Sequence, residues 1–586
     1  MFLQPKRITF VTLATFTILV ILYTFRNWAS RTPRATLRPG KQLLDGQSVS
    51  KWKTLQQHYL VAELKSLPPG RTLQIPKVQY DFKNQETSEA KATRLTRLQA
   101  VKENFQHTWN GYKKHAWMRD EVAPISGAYR DSFGGWAATL VDSLDTLWIT
   151  GLRDEFELAV SAVKTIDFDN SPDDEINVFE TTIRYLGGFL SAFDLSGHTV
   201  LLEKAIELGE MLYVAFDTPN RMPITRWNFK KASKGEVQEA SEGILVAEIG
   251  SLSLEFTRLS QLTGDPKYFD AIQRITEQFV NQQNKTKLPG MFPITINARH
   301  LDFTSDNTFG LGAMADSFYE YLPKEYMLLG GLSDDYRVLY ENAINAAQQH
   351  LLFRPLNPGN LDILISGSVH HNNGRLELDP QGQHLVCFAA GMIAIAAKIF
   401  KRQDLDIGRK LVDGCVWTYE SMPSGIMPET FHAIACTDNC QWDEAKWHQA
   451  VLERHGSTQP YANKLITDER LPPGFTDIPD RRYILRQALS IFILYRITGD
   501  NALQDKAWAM FQSIEKHTRT DIAHAALDDI TVSQPPKADR MESFWPAETL
   551  KYFYLVFSDP DTISLDDYVF NTEAHPFKRP KANTLL

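Results

Sequence analysis

The sequence predicts an all-α fold, an (α/α)7 toroid of seven helical hairpins, preceded by an N-terminal membrane anchor and a stem. Three observations carry this prediction: seven apolar helical segments recur along the chain, amphipathic segments separate them, and strand-like stretches are few and short. A helix that is apolar all round must be buried, whereas one with a single apolar face lies over a core. Inner helices ringed by outer ones satisfy both conditions. An open solenoid shares the pattern, but its repeats are more regular in length than these.

The elements follow in chain order. Residues 1–7 form a short basic head containing Lys6 and Arg7, and residues 8–25 carry no charge. At helical rise that uncharged run spans about 27 Å, enough for a bilayer core. No small-residue cleavage site is evident after it, which favours a retained anchor over a removed signal peptide. Either reading puts the rest of the chain in the secretory lumen. The positive-inside rule keeps the head cytoplasmic in a single-pass type II arrangement, with Arg26, Arg31 and Arg34 weighing against it. Residues 26–95, rich in Arg, Lys, Pro, Gln and Ser, are expected to be a stem. Residues 96–586 have globular composition and no dividing linker, so they are expected to form one catalytic domain.

Within that domain the apolar segments are TLVDSLDTLWITGL, TIRYLGGFLSAFDLSG, SLSLEFTRLSQLTGD, GAMADSFYEYLPKEYMLLGG, HLVCFAAGMIAIAAKIF, LSIFILYRITGD and ETLKYFYLVFSD. The 586 residues carry a net charge of −9 with no long basic run outside the first forty, which argues against a nucleic-acid partner. Cys387, Cys415, Cys436 and Cys440 make an even number in a lumenal chain, and two disulfides suit them better than a zinc site. Asn284-Lys285-Thr286 is a candidate N-glycosylation acceptor.

Polar residues open several inner segments at an even interval. Glu180, Glu248, Asp316 and His384 are each 68 residues apart (248 − 180, 316 − 248, 384 − 316). With hairpins alternating in direction, all four share one mouth of the toroid, and Glu542 and Glu548 fall near it. One acid at a helix start merely complements the helix dipole, an effect of about 0.3–1 kcal/mol. A ring of acids converging in a cleft repels unless a ligand or cation is served. Paired carboxyls of different pKa are what glycoside hydrolysis requires. Phe179, Phe309, Phe318, Phe544 and Trp545 lie nearby as core residues or as platforms for sugar faces.

At these residues the chain resembles the class I α-1,2-mannosidases, inverting enzymes that process N-glycans in the ER and Golgi. YKKHAWMRDEVAPIS, FGGWAATLVDSLDTLWITGL, NVFETTIRYLGGFLSAFDLSG, LGAMADSFYEYL, HLVCFAAG, MESFWPAETLKYFYLVFSD and VFNTEAHP carry the likeness, in the family's order. The resemblance implies that Glu180 is the general acid and Asp316 a second catalytic carboxylate. It implies that Arg184, Glu248, His384, Glu429, Arg486, Glu542 and Glu573 line the sugar site, and that Thr572 binds Ca2+. It also implies a Cys387–Cys415 disulfide, with Cys436 and Cys440 as a second pair. The expected partners are high-mannose N-glycans and, through the anchor, an ER or Golgi membrane; the expected state is monomeric.

One segment departs from the family pattern. The sixth inner helix is preceded there by a sequence like LRPEAIES, whose first Glu is a proposed catalytic base; here it reads LRQALS, from Leu485 to Ser490. About two residues and both acids are gone, and Gln487 cannot accept a proton as a carboxylate does. Three readings stand: a junction or reading frame that differs from the natural protein, a hydrolase in which Asp316 acts as base, or a lectin-like protein that binds high-mannose glycans without cleaving them.

Overall fold

Seven inner helical stretches, at 138–149, 178–196, 246–263, 316–328, 385–399, 489–498 and 545–557, make the scaffold of the computed structural model. Six are followed by an outer helix: Arg153–Val163, Thr199–Val214, Pro266–Gln282, Asp335–His350, Leu405–Ser421 and Ala502–Thr518. The seventh outer helix, Ser88–His115, comes first in the chain and packs along 545–557. Each inner stretch touches the next, and 545–557 returns to 138–149, so the ring closes as the apolar pattern predicts. The described residues are 51–83, 86–436, 440–457, 462–486 and 489–585. The expected head, the anchor, the stem to residue 50 and the Gln487–Ala488 pair lie outside them. Ser48–Gln261 and Asp265–Leu586 form one compact unit. Among the described residues no helix is long and apolar enough to cross a membrane.

The ring is held by burial. Leu140, Leu144, Leu186, Phe189, Leu254, Leu328, Ile393, Leu494 and Leu555 are all fully buried on inner helices. Each such side chain contributes about 1.5–3 kcal/mol on leaving water. Close approach decides the Gly187-Gly188 pair. A Cβ on Gly188 would lie 2.9 Å from the Val141 carbonyl oxygen, and one on Gly187 would lie 2.6 Å from Asn571 Nδ2.

Short antiparallel ribbons fringe one mouth of the ring. Ile176–Asn177 pairs with Arg226–Trp227 just before the second inner helix, and Ile244–Leu245 pairs with Thr295–Ile296 just before the third. A hairpin of Tyr568–Phe570 and Pro576–Lys578 carries the turn 571–575 into the ring, where Asn571 and His575 are fully buried.

The stretch expected as a spacer is partly something else. Trp52 is buried against Trp227 and Phe229, with ring centroids 5.9 and 6.5 Å away. The amides of His58 and Tyr59 donate to Asp217 at 2.8 and 2.9 Å, and those of Val78 and Tyr80 to Asp566 and the Arg496 carbonyl. Helix Ser88–His115, capped by Thr87, begins inside the expected stem. Main-chain bonds to carboxylates of the body anchor this strap, and they leave no hydrophobic period to read. Both disulfides form, Cys387–Cys415 and Cys436–Cys440. Asn284 is exposed, while Thr286 is buried and donates to the carbonyls of Leu288 and Met291.

Candidate active site

Two arginines organise the mouth. Arg184 stands on the second inner helix, whose start is capped by Asn177 accepting from the amides of Phe179 and Glu180. Residues Thr182–Leu186 widen into a π-turn, a feature frequent at functional sites. Arg184 is buried and holds Glu180 at 2.9 Å, Glu573 at 2.8 Å, Asp142 at 3.5 Å and Ser543 Oγ at 3.1 Å. Its guanidinium lies 4.5 Å from the Phe133 ring centroid. Ser543 relays the network: Oγ donates to Asp142 at 2.6 Å and its amide donates to Glu121 at 3.2 Å.

Carboxyls outnumber cations in this sector. Burial pushes Glu573 well above the ordinary range, with Arg184 opposing and neighbouring Glu548 reinforcing the shift. Burial likewise holds Glu548 up at about 7, against the pull of its bond to Glu573 and of the Arg184 charge. Glu121 reaches about 8 through burial and the adjacent Glu542. Glu548 stands on a second π-turn, Trp545–Thr549.

Arg486 organises a second sector, and the centroid of the half-buried Phe544 ring is 5.8 Å from each guanidinium. Its Nε is 3.5 Å from Glu429, yet among the described residues neither Nε nor Nη1 has a hydrogen-bond partner. Glu429 accepts from the Ile484 amide, and the His384 ring lies 3.8 Å away; Arg486 and then His384 hold this carboxyl below its usual range despite burial. Burial lowers His384, whose Nε2 pairs with Tyr419 Oη at 2.7 Å. Asp316 opens the fourth inner helix, and burial, reinforced by Glu320, raises it to about 7 while Arg486 draws it down. Gln487, the position of the lost acid, lies outside the described residues. Ser490 closes the start of its helix onto the fifth, accepting from the Gly391 amide at 2.7 Å and donating to the Phe388 carbonyl at 3.0 Å.

Below the mouth the 571–575 turn is fixed by fully buried ions. Lys551 Nζ is 2.7 Å from Asp145 and 2.8 Å from the Ala574 carbonyl oxygen, and His575 Nδ1 is 2.8 Å from Asp145. Asn571 donates to Ile183 O and to Glu255. Tyr321 Oη accepts the Thr572 amide, and beside it Glu573 Oε2 is buried with no hydrogen-bond partner. Among the described residues no three His, Cys, Asp or Glu side chains gather as a metal cage. A hard cation satisfied mainly by threonine oxygens and non-protein ligands, above a surplus of carboxyls, fits this arrangement.

The structure thus joins Glu180, Arg184 and Glu573 in one sector and Asp316, His384, Glu429 and Arg486 in the other, with Thr572 between inner helices. Glu542 sits beside Glu121, 3.4 Å from Arg540. Glu248 is bound to Arg226 at 2.6 Å on the fringing ribbon. Phe309, Phe318 and Trp545 are core residues, whereas Phe179 and Phe544 remain partly accessible. Sequence reasoning gave no role to Asp142, Glu121 or Ser543 and only a place to Glu548. An ionisable residue inside an apolar inner segment, as in TLVDSLDTLW, was the available signal.

Known proteins resemble this chain in sequence and in fold. An α-1,2-mannosidase from Trichoderma reesei superposes with a TM-score of 0.72 at 31% identity, covering 83% of this chain and 99% of that one. The human endoplasmic reticulum mannosyl-oligosaccharide 1,2-alpha-mannosidase is 36% identical over 82% of this chain and 64% of its own length. A mannosyl-oligosaccharide 1,2-alpha-mannosidase of Arabidopsis thaliana is 35% identical over 82% of this chain and 78% of its own. The sequence model of glycosyl hydrolase family 47 matches residues 104–579. With the closed helical ring and its carboxyl-lined mouth, that match shows that the chain belongs to glycosyl hydrolase family 47.

Proposed function

We propose that this protein hydrolyses terminal α-1,2-linked mannose from high-mannose N-glycans, with inversion and with bound calcium. One observation carries the reading. Asp316 and Glu548 are held near pKa 7 while Glu429 is held below the ordinary range, so the mouth offers carboxyls that can take up or release a proton at neutral pH beside one that stays ionised. General acid and base catalysis on a glycosidic bond needs that division. The names of relatives at 36% and 35% identity support the substrate.

In this reading Glu180 delivers a proton toward the leaving oxygen, and Arg184 fixes the carboxyl in place through Nε and Nη2. Asp316 receives a proton in the second sector. Glu429, Arg486 and His384 hold sugar hydroxyls there, and Glu542, Glu573 and Glu248 complete the polar wall. Thr572 supplies oxygen ligands to calcium, which when bound fixes sugar hydroxyls and offsets the surplus carboxyl charge. Lys551, Asp145 and His575 keep that turn rigid. The uncharged run 8–25 is proposed to anchor the chain as a type II protein of the ER or Golgi membrane, with residues 26–50 as the remaining stem and the domain acting as a monomer.

The test is mannose release from a high-mannose glycan by the calcium-loaded full chain, with the anomer followed by NMR. Chelator-sensitive release of β-mannose is expected. No release from a sequence-verified protein would overturn the enzymatic reading and leave glycan binding alone.

A further inference from the structure

The stretch 542–548 gives the mouth four groups. Glu542 lies beside Glu121, Ser543 joins Arg184 to Asp142, Phe544 lies near both guanidiniums, and Glu548 meets Glu573. Trp545, within the same stretch, reaches instead to the outer helix Ser88–His115. Its ring is fully buried, and its indole N–H donates to Thr108 Oγ1 at 3.1 Å. Its backbone ties both ends of the stretch. The Trp545 amide donates to the Glu542 carbonyl oxygen at 3.1 Å, and its own carbonyl oxygen accepts the Leu550 amide across the π-turn. Whatever fixes the Trp545 ring therefore fixes the bend that carries the four groups.

Next to the indole stands His524, also fully buried, with ring centroids 4.8 Å apart. Thr108 Oγ1 is 2.9 Å from His524 Nδ1, and His524 Nε2 is 2.9 Å from Asn104 Oδ1. The partners dictate where the protons lie. An indole N–H only donates, so Thr108 accepts there and directs its own hydrogen to His524 Nδ1. Asn104 Nδ2 donates to the Ala100 carbonyl oxygen at 3.0 Å, which leaves Oδ1 to accept from His524 Nε2–H. The imidazole is therefore neutral, with Nδ1 bare. Burial keeps it neutral by lowering it well below its usual range, and the neighbouring His107, Arg519 and Lys537 also oppose a second proton. The loop that carries His524 is pressed onto the outer helix: a Cβ on Gly111 would lie 1.9 Å from the Ile522 carbonyl oxygen.

We infer that His524 is a positioning residue: through Thr108 it holds the Trp545 ring, and with it the segment that carries Glu542, Ser543 and Glu548 into the mouth. The inference rests on the mannosidase reading. A hydroxyl that merely fills space is replaceable by a methyl, whereas one that relays a bond is not. Thr108→Val cuts the relay at nearly constant volume, and Thr108→Ser keeps the hydroxyl. His524→Phe keeps a ring and removes both nitrogens.

The experiment is hydrogen exchange read by mass spectrometry on the calcium-loaded full chain, with kcat for mannose release, in the wild type and the three variants. Thermal melts certify folding. Thr108→Val and His524→Phe are expected to speed amide exchange in 542–550 by about tenfold or more, while the remote helix Leu405–Ser421 changes less than about twofold. In both, kcat is expected to fall by about tenfold, because small misplacements of site groups are costly; Thr108→Ser stays within about threefold of the wild type. Unchanged exchange in 542–550, equal acceleration of both segments, or a Thr108→Ser chain as loose as Thr108→Val overturns the assignment. An undiminished kcat beside faster local exchange does so too. The Thr108 pair decides alone where His524→Phe does not fold. A wild type that releases no mannose, with the local exchange contrast intact, sinks the enzymatic reading and leaves the placement of 542–548 by His524 standing.

Discussion

The two arginines of the mouth each lie 5.8 Å from the centroid of the Phe544 ring and live in different surroundings. Arg184 holds three carboxylates and a serine hydroxyl, inside a sector where every neighbouring acid has a partner or a raised pKa. Among the described residues Arg486 has one ion pair, at 3.5 Å, and no hydrogen-bond partner for Nε or Nη1. Buried donors are rarely left unsatisfied, because each one costs about 1–3 kcal/mol. The second sector is also where the sequence departs from the family pattern, with about two residues and both acids missing between Arg486 and Ser490. One arginine is saturated with carboxylates; the other has a single ion pair, with Glu429.

The largest effect should come from breaking the Arg184 sector. Arg184→Leu strips Glu180 of its partner and leaves Glu573, Glu548 and Asp142 buried without their shared cation. Losing one member of a buried pair costs about 3–5 kcal/mol, so kcat/KM should fall by roughly 10²–10³ or more and the melting temperature should drop as well. Steady-state kinetics and calorimetry check both. Retention of activity within tenfold would show that Arg184 is not the organiser of the site.

The Arg486 sector is sharpened by repair. Gln487→Glu returns a carboxylate to the segment that departs from the family pattern, and kcat should rise by about tenfold or more, given the 10²–10⁴ that general base catalysis supplies. A repaired chain no faster than the original would assign the base role to Asp316 alone.

This contrast was only half visible in the sequence. The seven inner helices were legible because a helix enclosed by other helices must be apolar throughout, and the 68-residue interval placed Glu180, Glu248, Asp316 and His384 at helix starts. The loss at Gln487 was legible against the family pattern. The sparse pairing of Arg486 was not, since hydrogen-bond satisfaction depends on three-dimensional neighbours. Asp142 and Asp145 were hidden inside an apolar segment, although an acid there has to be paired. Residues 51–83 read as linker because main-chain amides, which have no sequence signature, make their bonds to Asp217, Asp270 and Asp566.

The smallest effect separates the sectors by pH. Asp316 must be ionised to take up a proton, and burial raises its carboxyl to about 7, with Arg486 drawing it down. Activity should therefore climb with pH through about 7. Arg486→Leu removes the downward pull, so Asp316 titrates higher still and the acid limb of the kcat/KM profile moves to higher pH. Each unit of displacement costs about tenfold on the acid side and nothing once both proteins are fully ionised. The variant should be several-fold slower near pH 6 and should approach the parent above about pH 9. Arg184→Leu should be slow across the whole range, because it removes structure as well as charge. A loss in Arg486→Leu that is uniform with pH would make Arg486 a sugar-binding group with no electrostatic hold on Asp316, and a shift of the limb to lower pH would break the assignment of Asp316 as the base.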